Sequence, residues 1–174
     1  MIGRDIVRDA VVDDAATIAR IRVDSWRATY AGIVPAPLLE GMDPAAFAER
    51  LVSRLGSADH GVLVTQSGHG AIEGFAISGP ARDDDVTEAG EVQAIYLAPE
   101  ARGRGLGAPL LEAACAGLAD RGFGSVVLWV LTANTPARRF YERQGFRFDG
   151  AARMLDFDGT PIEEIRYRRS AMRE

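Results

Sequence analysis

Apolar and polar residues follow two different rhythms along the chain. Residues 2–12 have strand character, and Asp13 or Asp14 stands where a following helix needs an N-cap. Within 15–28, Ile18, Ile21, Val23 and Trp26 fall at spacings compatible with a buried helical stripe. Pro35 and Pro37 suit the opening of a short helix through Leu38 and Leu39, and 44–55 reads as another helix ending near Gly56. The rhythm then shortens. Residues 61–65 and 71–78 are strand-like runs separated by the turn-forming Ser67-Gly68-His69-Gly70, with Gly79-Pro80 placed to stop the second. Residues 82–89 are acidic and polar, which predicts an exposed loop ahead of a strand at 91–97.

In the second half, Leu106, Leu110, Leu111, Ala114, Leu118 and Ala119 give a helix over 106–121 a broad apolar face, and Gly122 marks its exit. Residues 125–131 are apolar and rich in β-branched side chains, as a central strand requires. A helix over 135–144 is broken by Gly145. Strands are expected at 146–148, 153–157 and 162–168, punctuated by Gly150, Pro161 and Asp158-Gly159, the last suited to a tight hairpin turn. No internal repeat or linker divides the chain, so residues 1–174 are expected to form one domain.

Composition narrows the function classes. At 174 residues, 47% hydrophobic and 26% charged, the chain can build one proper core. A formal net charge of −5 gives no support to nucleic-acid binding, which would want a basic domain or a concentrated basic face. All 20 Lys+Arg positions are arginine, whose forked donors suit phosphate and carboxylate. Cys115 is the single cysteine, which excludes an internal disulfide and a multi-thiolate metal site; its alanine- and leucine-rich surroundings predict a buried small hydrophobe. His60 and His69 lack metal-ligand spacing, and no metal is expected. No stretch is apolar enough to cross a membrane and residues 1–14 lack the apolar core of a signal peptide, so the cytoplasm is the expected compartment.

Arg102-Gly103-Arg104-Gly105-Leu106-Gly107 lies between a predicted strand and an apolar-faced helix. Glycines permit close backbone approach, and unpaired N–H groups at a helix start favour an anion such as a pyrophosphate. Arg102 and Arg104 can add charge-assisted contacts. The turn lacks the Lys-Ser/Thr of an ATP-binding loop and comes late for a dinucleotide fold. Taken alone, it could also be a turn that merely starts a helix.

Glu91-Val92-Gln93-Ala94-Ile95-Tyr96-Leu97-Ala98-Pro99, followed by 102–107, resembles the acetyl-CoA motif of the GCN5-related N-acetyltransferase (GNAT) superfamily: Arg or Gln, two residues, Gly, one residue, then Gly or Ala. Asn134, Ala137 and the run Phe140-Tyr141-Glu142-Arg143-Gln144-Gly145-Phe146 resemble its next block, and Ser25-Trp26-Arg27, Tyr30, Gly32-Ile33 and Pro35 resemble an early segment of bacterial members. The resemblance implies a single N-acetyltransferase domain of α/β (α+β) class, a mixed, mostly antiparallel sheet flanked by helices. It also implies acetyl-CoA as acyl donor and direct attack by an amine in a ternary complex. Acceptors left open are a small-molecule primary amine and a peptide or protein N-terminus; a non-catalytic acetyl-CoA-binding module is a further alternative.

The same resemblance carries residue roles. Ile95 and Leu97 are expected to offer backbone contacts to the cofactor arm, and the amides of Gly103, Arg104, Gly105, Leu106, Gly107 and Ala108 to cradle its pyrophosphate. Asn134 is expected beside the arm, or as a helix N-cap, or both. Tyr141 is the expected general acid for the leaving thiolate, and Glu91 the expected base. Strand alternation would put Glu91, Gln93, Ile95 and Leu97 on one face. Trp26 and Tyr30 are expected to wall the acceptor groove, with Phe75, Ser78 and Trp129 as lesser pocket residues. Asp85 and Glu88 could attract a cationic acceptor. No nucleic-acid or membrane partner is expected, and exposed late strands leave a homodimer open.

Overall fold

The computed structural model describes residues 3–171, so Ile2 of the predicted first strand lies outside the described residues. In chain order the elements are β1 (Gly3–Asp9), α1 (Ala15–Tyr30), α2 (Ala36–Glu40), α3 (Pro44–Val52), β2 (Gly61–Gly68), β3 (Ile72–Pro80) and β4 (Gly90–Leu97). They continue with α4 (Gly107–Asp120), β5 (Ser125–Leu131), α5 (Thr135–Arg143), β6 (Arg147–Phe157) and β7 (Thr160–Ser170). The strands form one seven-stranded sheet in the order β1-β2-β3-β4-β5-β7-β6. Only β4 and β5 run parallel; the other neighbours are antiparallel. Parallel neighbours need a crossover, and α4 supplies it.

Strand alternation gives the sheet two apolar faces. On one, Leu110, Leu111, Ala114 and Leu118 of α4 pack on Val92, Val126, Leu128 and Tyr167, with Tyr141 and Phe146 closing the layer. On the other, Ile18 and Ile21 of α1 and Leu51 pack on Val62, Val64, Phe75 and Ile77. The C-terminal end of α1 leans instead on the far strands, where Tyr30 and Val34 meet Leu131 and Ile162. Full burial of each such large side chain contributes about 1.5–3 kcal/mol.

Several elements differ from the sequence reading. Asp14 does not cap α1 through its side chain. Its Oδ2 accepts from the Val11 N–H at 2.8 Å and from Arg8 Nη1 at 2.8 Å, closing a one-turn 3-10 segment over Val12–Asp14. β3 runs through Pro80, which pairs with Gly90 as the last residue of its strand. The two short strands expected at 146–148 and 153–157 are one strand, β6, interrupted by a register shift between Phe148 and Ala152. The tight turn holds: Asp158 (φ 51°) and Gly159 (φ 83°) are both left-handed, as a two-residue hairpin turn needs.

The Arg8 hydrogen bonds, aided by the Val11 N–H and opposed by partial burial, hold the Asp14 carboxyl below its usual range. A depressed carboxyl pKa stabilises the fold above the unfolded value of about 3.9 and stops doing so as pH falls through the folded value. Asp14→Asn is therefore expected to flatten the loss of stability on the acid side. Urea midpoints followed from pH 6 downward should fall less steeply for the variant; parallel curves would remove Asp14 from the acid response.

Candidate active site

β4 and β5 pair at only two positions, Gly90 with Val126 and Glu91 with Val127. Immediately afterwards β4 carries an extra residue: Ser78 pairs with Val92 and Ile77 with Ala94, so Gln93 is bulged. A bulge bends its strand and strengthens the local twist. β4 therefore leaves β5, and from Val92 onward the edge of β4 that faces β5 has no strand partner. The bulge also inverts the side-chain alternation. Glu91 shares its face with Ala94 and Tyr96, whereas Ile95 and Leu97 pack toward α4, so the expectation of one common face for Glu91, Gln93, Ile95 and Leu97 is corrected. Of the backbone groups expected to meet a ligand on β4, the Leu97 carbonyl is engaged by Ser25 Oγ at 2.8 Å.

The glycine-rich turn opens at one end of this cleft. Gly103 (φ 76°) and Gly105 (φ 81°) are left-handed, a conformation that costs other residues about 1–2 kcal/mol each. Among the described residues, no backbone N–H from Gly103 to Ala108 has a hydrogen-bond partner. Those donors sit at the start of the 14-residue α4, whose dipole adds to their attraction for an anion. Gly107 packs closely: a Cβ there would stand 3.3 Å from the Phe140 ring, a tight contact. The two arginines of the turn are arranged differently from the sequence expectation. Arg102 is exposed and reaches the Ser25 carbonyl at 3.4 Å. Arg104 is held by Glu73 at 2.6 Å, with Asp5 at 3.7 Å, and so pins the turn to β1 and β3.

Phenols gather at the other end. Tyr141 is buried on α5, and its ring packs on Phe140 and Phe146 with centroids 5.3 and 6.2 Å away. Its hydroxyl has no hydrogen-bond partner among the described residues, yet it is not among the fully occluded unpartnered atoms, so it faces accessible space. Burial, reinforced by Tyr96, pushes this phenol well above the usual tyrosine range. Tyr30 is raised likewise, by burial first and then by Tyr96, and the Asn134 amide acts on it in the opposite direction. Asn134 also caps α5, accepting from the Ala137 N–H at 3.3 Å. Trp26 meets Tyr30 edge-on at 4.8 Å, and its Nε1 is buried without a partner in hydrogen-bond geometry. Trp26, Tyr30, Tyr96, Asn134 and Tyr141 thus interact as one cluster drawn from α1, β4 and the start of α5.

Glu91 stands apart from them. It is 1% exposed and lies where β4 and β5 are still paired. Oε2 accepts from the Arg82 backbone N–H at 3.1 Å and from its Nε at 3.1 Å, and Oε1 accepts from Nη2 at 2.5 Å. The 82–89 segment is likewise no plain exposed loop. Val86 and Ala89 are buried against Val127. Asp83 accepts from Trp129 Nε1 at 2.8 Å and pairs with Arg153 and Arg166; Arg166, 4% exposed, also binds Asp85 and Asp149. Arg153 lies 4.0 Å over the Trp129 ring.

Phe75 and Ser78 are core residues, fully buried or bonded to Arg121. Cys115 is 1% exposed in the α4 layer, and burial pushes its thiol up to about 11. No cluster of His, Cys, Asp and Glu among the described residues could hold a metal, and no helix there is long and apolar enough to cross a membrane. A hollow of ≈550 Å³ beneath the α1–α2 turn is lined by Ile33, Pro35, Leu39 and Thr160 and contains none of the predicted site residues. Sequence reading missed Tyr96, Glu73, Glu164 and Arg166. Tyr96 sits inside the motif, but its placement on the α1 face beside Phe75 follows from the bulge; the others gave no local signal.

The acetyltransferase (GNAT) family model matches residues 20–146, which include the cleft, the turn and Tyr141. The uncharacterized N-acetyltransferase YuaI of Bacillus subtilis is 38% identical over 136 residues, covering 78% of this chain and 76% of that protein. Mycothiol acetyltransferase of Corynebacterium aurimucosum is 44% identical over 63 residues, but these span only 36% of this chain and 21% of that protein. Among solved structures, the PaiA N-acetyltransferase of Thermoplasma acidophilum in complex with coenzyme A superposes with a TM-score of 0.77 at 21% identity, covering 95% of this chain and 98% of that one. YncA of Salmonella typhimurium with acetyl-CoA gives 0.75 at 21%, covering 99% and 96%. With the family model spanning most of the chain and the fold shared throughout, this protein belongs to the GNAT acetyltransferase family.

Proposed function

We propose that the chain, as one N-acetyltransferase domain, transfers the acetyl group of acetyl-CoA to a primary amine of a small molecule, with both substrates bound together. The divergence of β4 from β5 beside a partnerless set of N–H groups carries this reading. A pyrophosphate at Gly103–Ala108 would direct an extended thiol arm along the free edge of β4 toward Tyr141. Backbone groups of Ile95 and Leu97 would hold the arm, the latter after Ser25 yields its carbonyl, and Asn134 would meet it from the start of α5.

The reacting carbon would lie between the free edge of β4 and the phenol cluster, where holding amine and thioester together supplies most of the acceleration. The amine nitrogen forms a bond to the carbonyl carbon, a β4 N–H polarises the carbonyl oxygen, and the carbon–sulfur bond breaks. Tyr141, kept protonated by burial, gives its proton to the departing sulfur. No side-chain nucleophile enters the step. Trp26 and Tyr30 would wall the acceptor side, which favours a small acceptor because the two rings and Phe157 leave an aromatic enclosure instead of an open trough. Glu91, closed off by Arg82, fits the role of fixing the 82–89 segment at the base of the cleft better than that of a base.

An acetyl-CoA-dependent screen of small amines and short peptides, reading free thiol and acetylated product together, tests the reading. Product from small primary amines with equimolar thiol is expected. Turnover confined to peptide N-termini would replace the acceptor class, and acetyl-CoA binding with no turnover on any amine would mark a binding module.

A further inference from the structure

With Glu91 enclosed, the acceptor side of the cleft needs another group to take the proton of an incoming ammonium. Glu164 on β7 is 7% exposed and pairs in register with Leu131 and Arg153, which puts its side chain on the α1 face of the sheet beside Trp129 and Leu131. Oε1 accepts from Arg153 Nε at 2.5 Å. Oε2 has no partner among the described residues and is not among the occluded unpartnered atoms, so it looks into accessible space. The charged and titratable groups around it are Arg153 on β6, Arg82 before β4 and the Tyr96 phenol on β4. Leu131, its partner in register, packs with Tyr30 and Trp26, so Glu164 stands on the side of the sheet that carries the proposed acceptor wall.

Charge points the same way. The ion-paired network on this face joins the carboxylates of Asp83, Asp85, Asp149 and Glu164 to the guanidinium groups of Arg153 and Arg166 and is net negative, with the Arg82–Glu91 pair beside it. Asp85, expected with Glu88 to draw a cation, is taken up by Arg166, and Asp83 by Arg153 and Arg166; Glu164 alone among the acids of this network keeps an oxygen without a partner among the described residues.

We infer that Glu164 binds the ammonium of the acceptor and is the base that deprotonates it, an assignment that rests on the proposed amine acetylation. One proton passes from the ammonium nitrogen to Oε2, leaving a neutral amine and a carboxylic acid. The amine nitrogen then bonds to the thioester carbon, the carbon–sulfur bond breaks, and sulfur takes the Tyr141 proton. The remaining extra proton on nitrogen restores the phenol, and Glu164 releases its proton to solvent.

Two probe amines separate this role from a structural one: n-butylamine, an ammonium at pH 7, and 2,2,2-trifluoroethylamine, neutral at that pH. Steady-state rates with acetyl-CoA are compared for the full chain and for Glu164→Gln, Glu164→Asp and Glu91→Gln, with acetyl-CoA affinity checked by calorimetry to confirm folding. Glu164→Gln should lower kcat/KM for n-butylamine about 100-fold, leave trifluoroethylamine within about threefold, and push the acid limb of the n-butylamine profile to higher pH; Glu164→Asp should recover part of the loss. Equal losses on both amines, no loss, or a selective loss in Glu91→Gln instead would overturn the assignment. Wild-type turnover of neither amine would overturn it together with the reading on which it rests.

Discussion

Tyr141→Phe is expected to lower kcat about 10²- to 10⁴-fold while acetyl-CoA affinity stays nearly unchanged. The ring is fixed by Phe140 and Phe146, so removing one oxygen leaves the packing in place. The hydroxyl has no partner among the described residues, so its loss strands no donor or acceptor there. What disappears is the proton for the leaving thiolate. Because burial raises the phenol, the acid form persists through neutral pH, and kcat should show no descending limb from Tyr141 below the ordinary tyrosine value of about 10. Steady-state and calorimetric measurements on one preparation separate the two effects. Equal kcat in the variant would remove the acid role; lost affinity with intact kcat would make Tyr141 a cofactor-binding side chain.

Arg166→Ala is expected to destabilise the fold by about 3–5 kcal/mol. Arg166 is 4% exposed, and its guanidinium reaches Asp83 at 3.2 Å and Asp149 at 2.8 Å, both largely buried. Removing it leaves two carboxylates desolvated with fewer partners. Asp85, the third contact at 2.6 Å, is mostly exposed and water would replace much of what it loses. For a chain of this size the midpoint of thermal unfolding should fall by roughly 6–20 °C. Arg166→Lys should rescue little, since one ammonium cannot fork toward three acids. Urea unfolding followed by circular dichroism checks the value. A loss under about 1 kcal/mol would show that the network is a surface feature.

These two sites differ in how far the sequence reveals them. Tyr141, Asn134 and the 102–107 turn sit in contiguous motifs whose chemistry is local: glycines that reach positive φ, an Asn that caps a helix, a Tyr on the helical face turned inward. The α4 stripe, β5 and the Asp158-Gly159 hairpin follow from periodicity and turn chemistry for the same reason. The bulge at Gln93 does not, because it is defined by pairing with β3 and no residue type demands it. That single extra residue moved Glu91 off the face of Ile95 and Leu97 and opened the cleft. Arg82 and Glu91 are nine residues apart in sequence, yet only the 82–89 turn back onto β5 brings them together. Glu164, Arg153 and Asp83 meet from β7, β6 and the loop before β4, and Arg104 of the glycine-rich turn meets Glu73 of β3. Charge in the sequence showed only that acids and arginines were plentiful. Which acid is neutralised and which keeps a free oxygen is a tertiary property.

The central claim, direct transfer of acetyl from acetyl-CoA to an amine within the β4–β5 cleft, is tested most directly by an initial-rate matrix in which acetyl-CoA and a turned-over amine are both varied. Attack within a ternary complex predicts double-reciprocal lines that intersect, with thiol released only when amine is present. Parallel lines, with thiol released before amine is added, would mean that the acetyl group first passes to a side chain and would contradict the account.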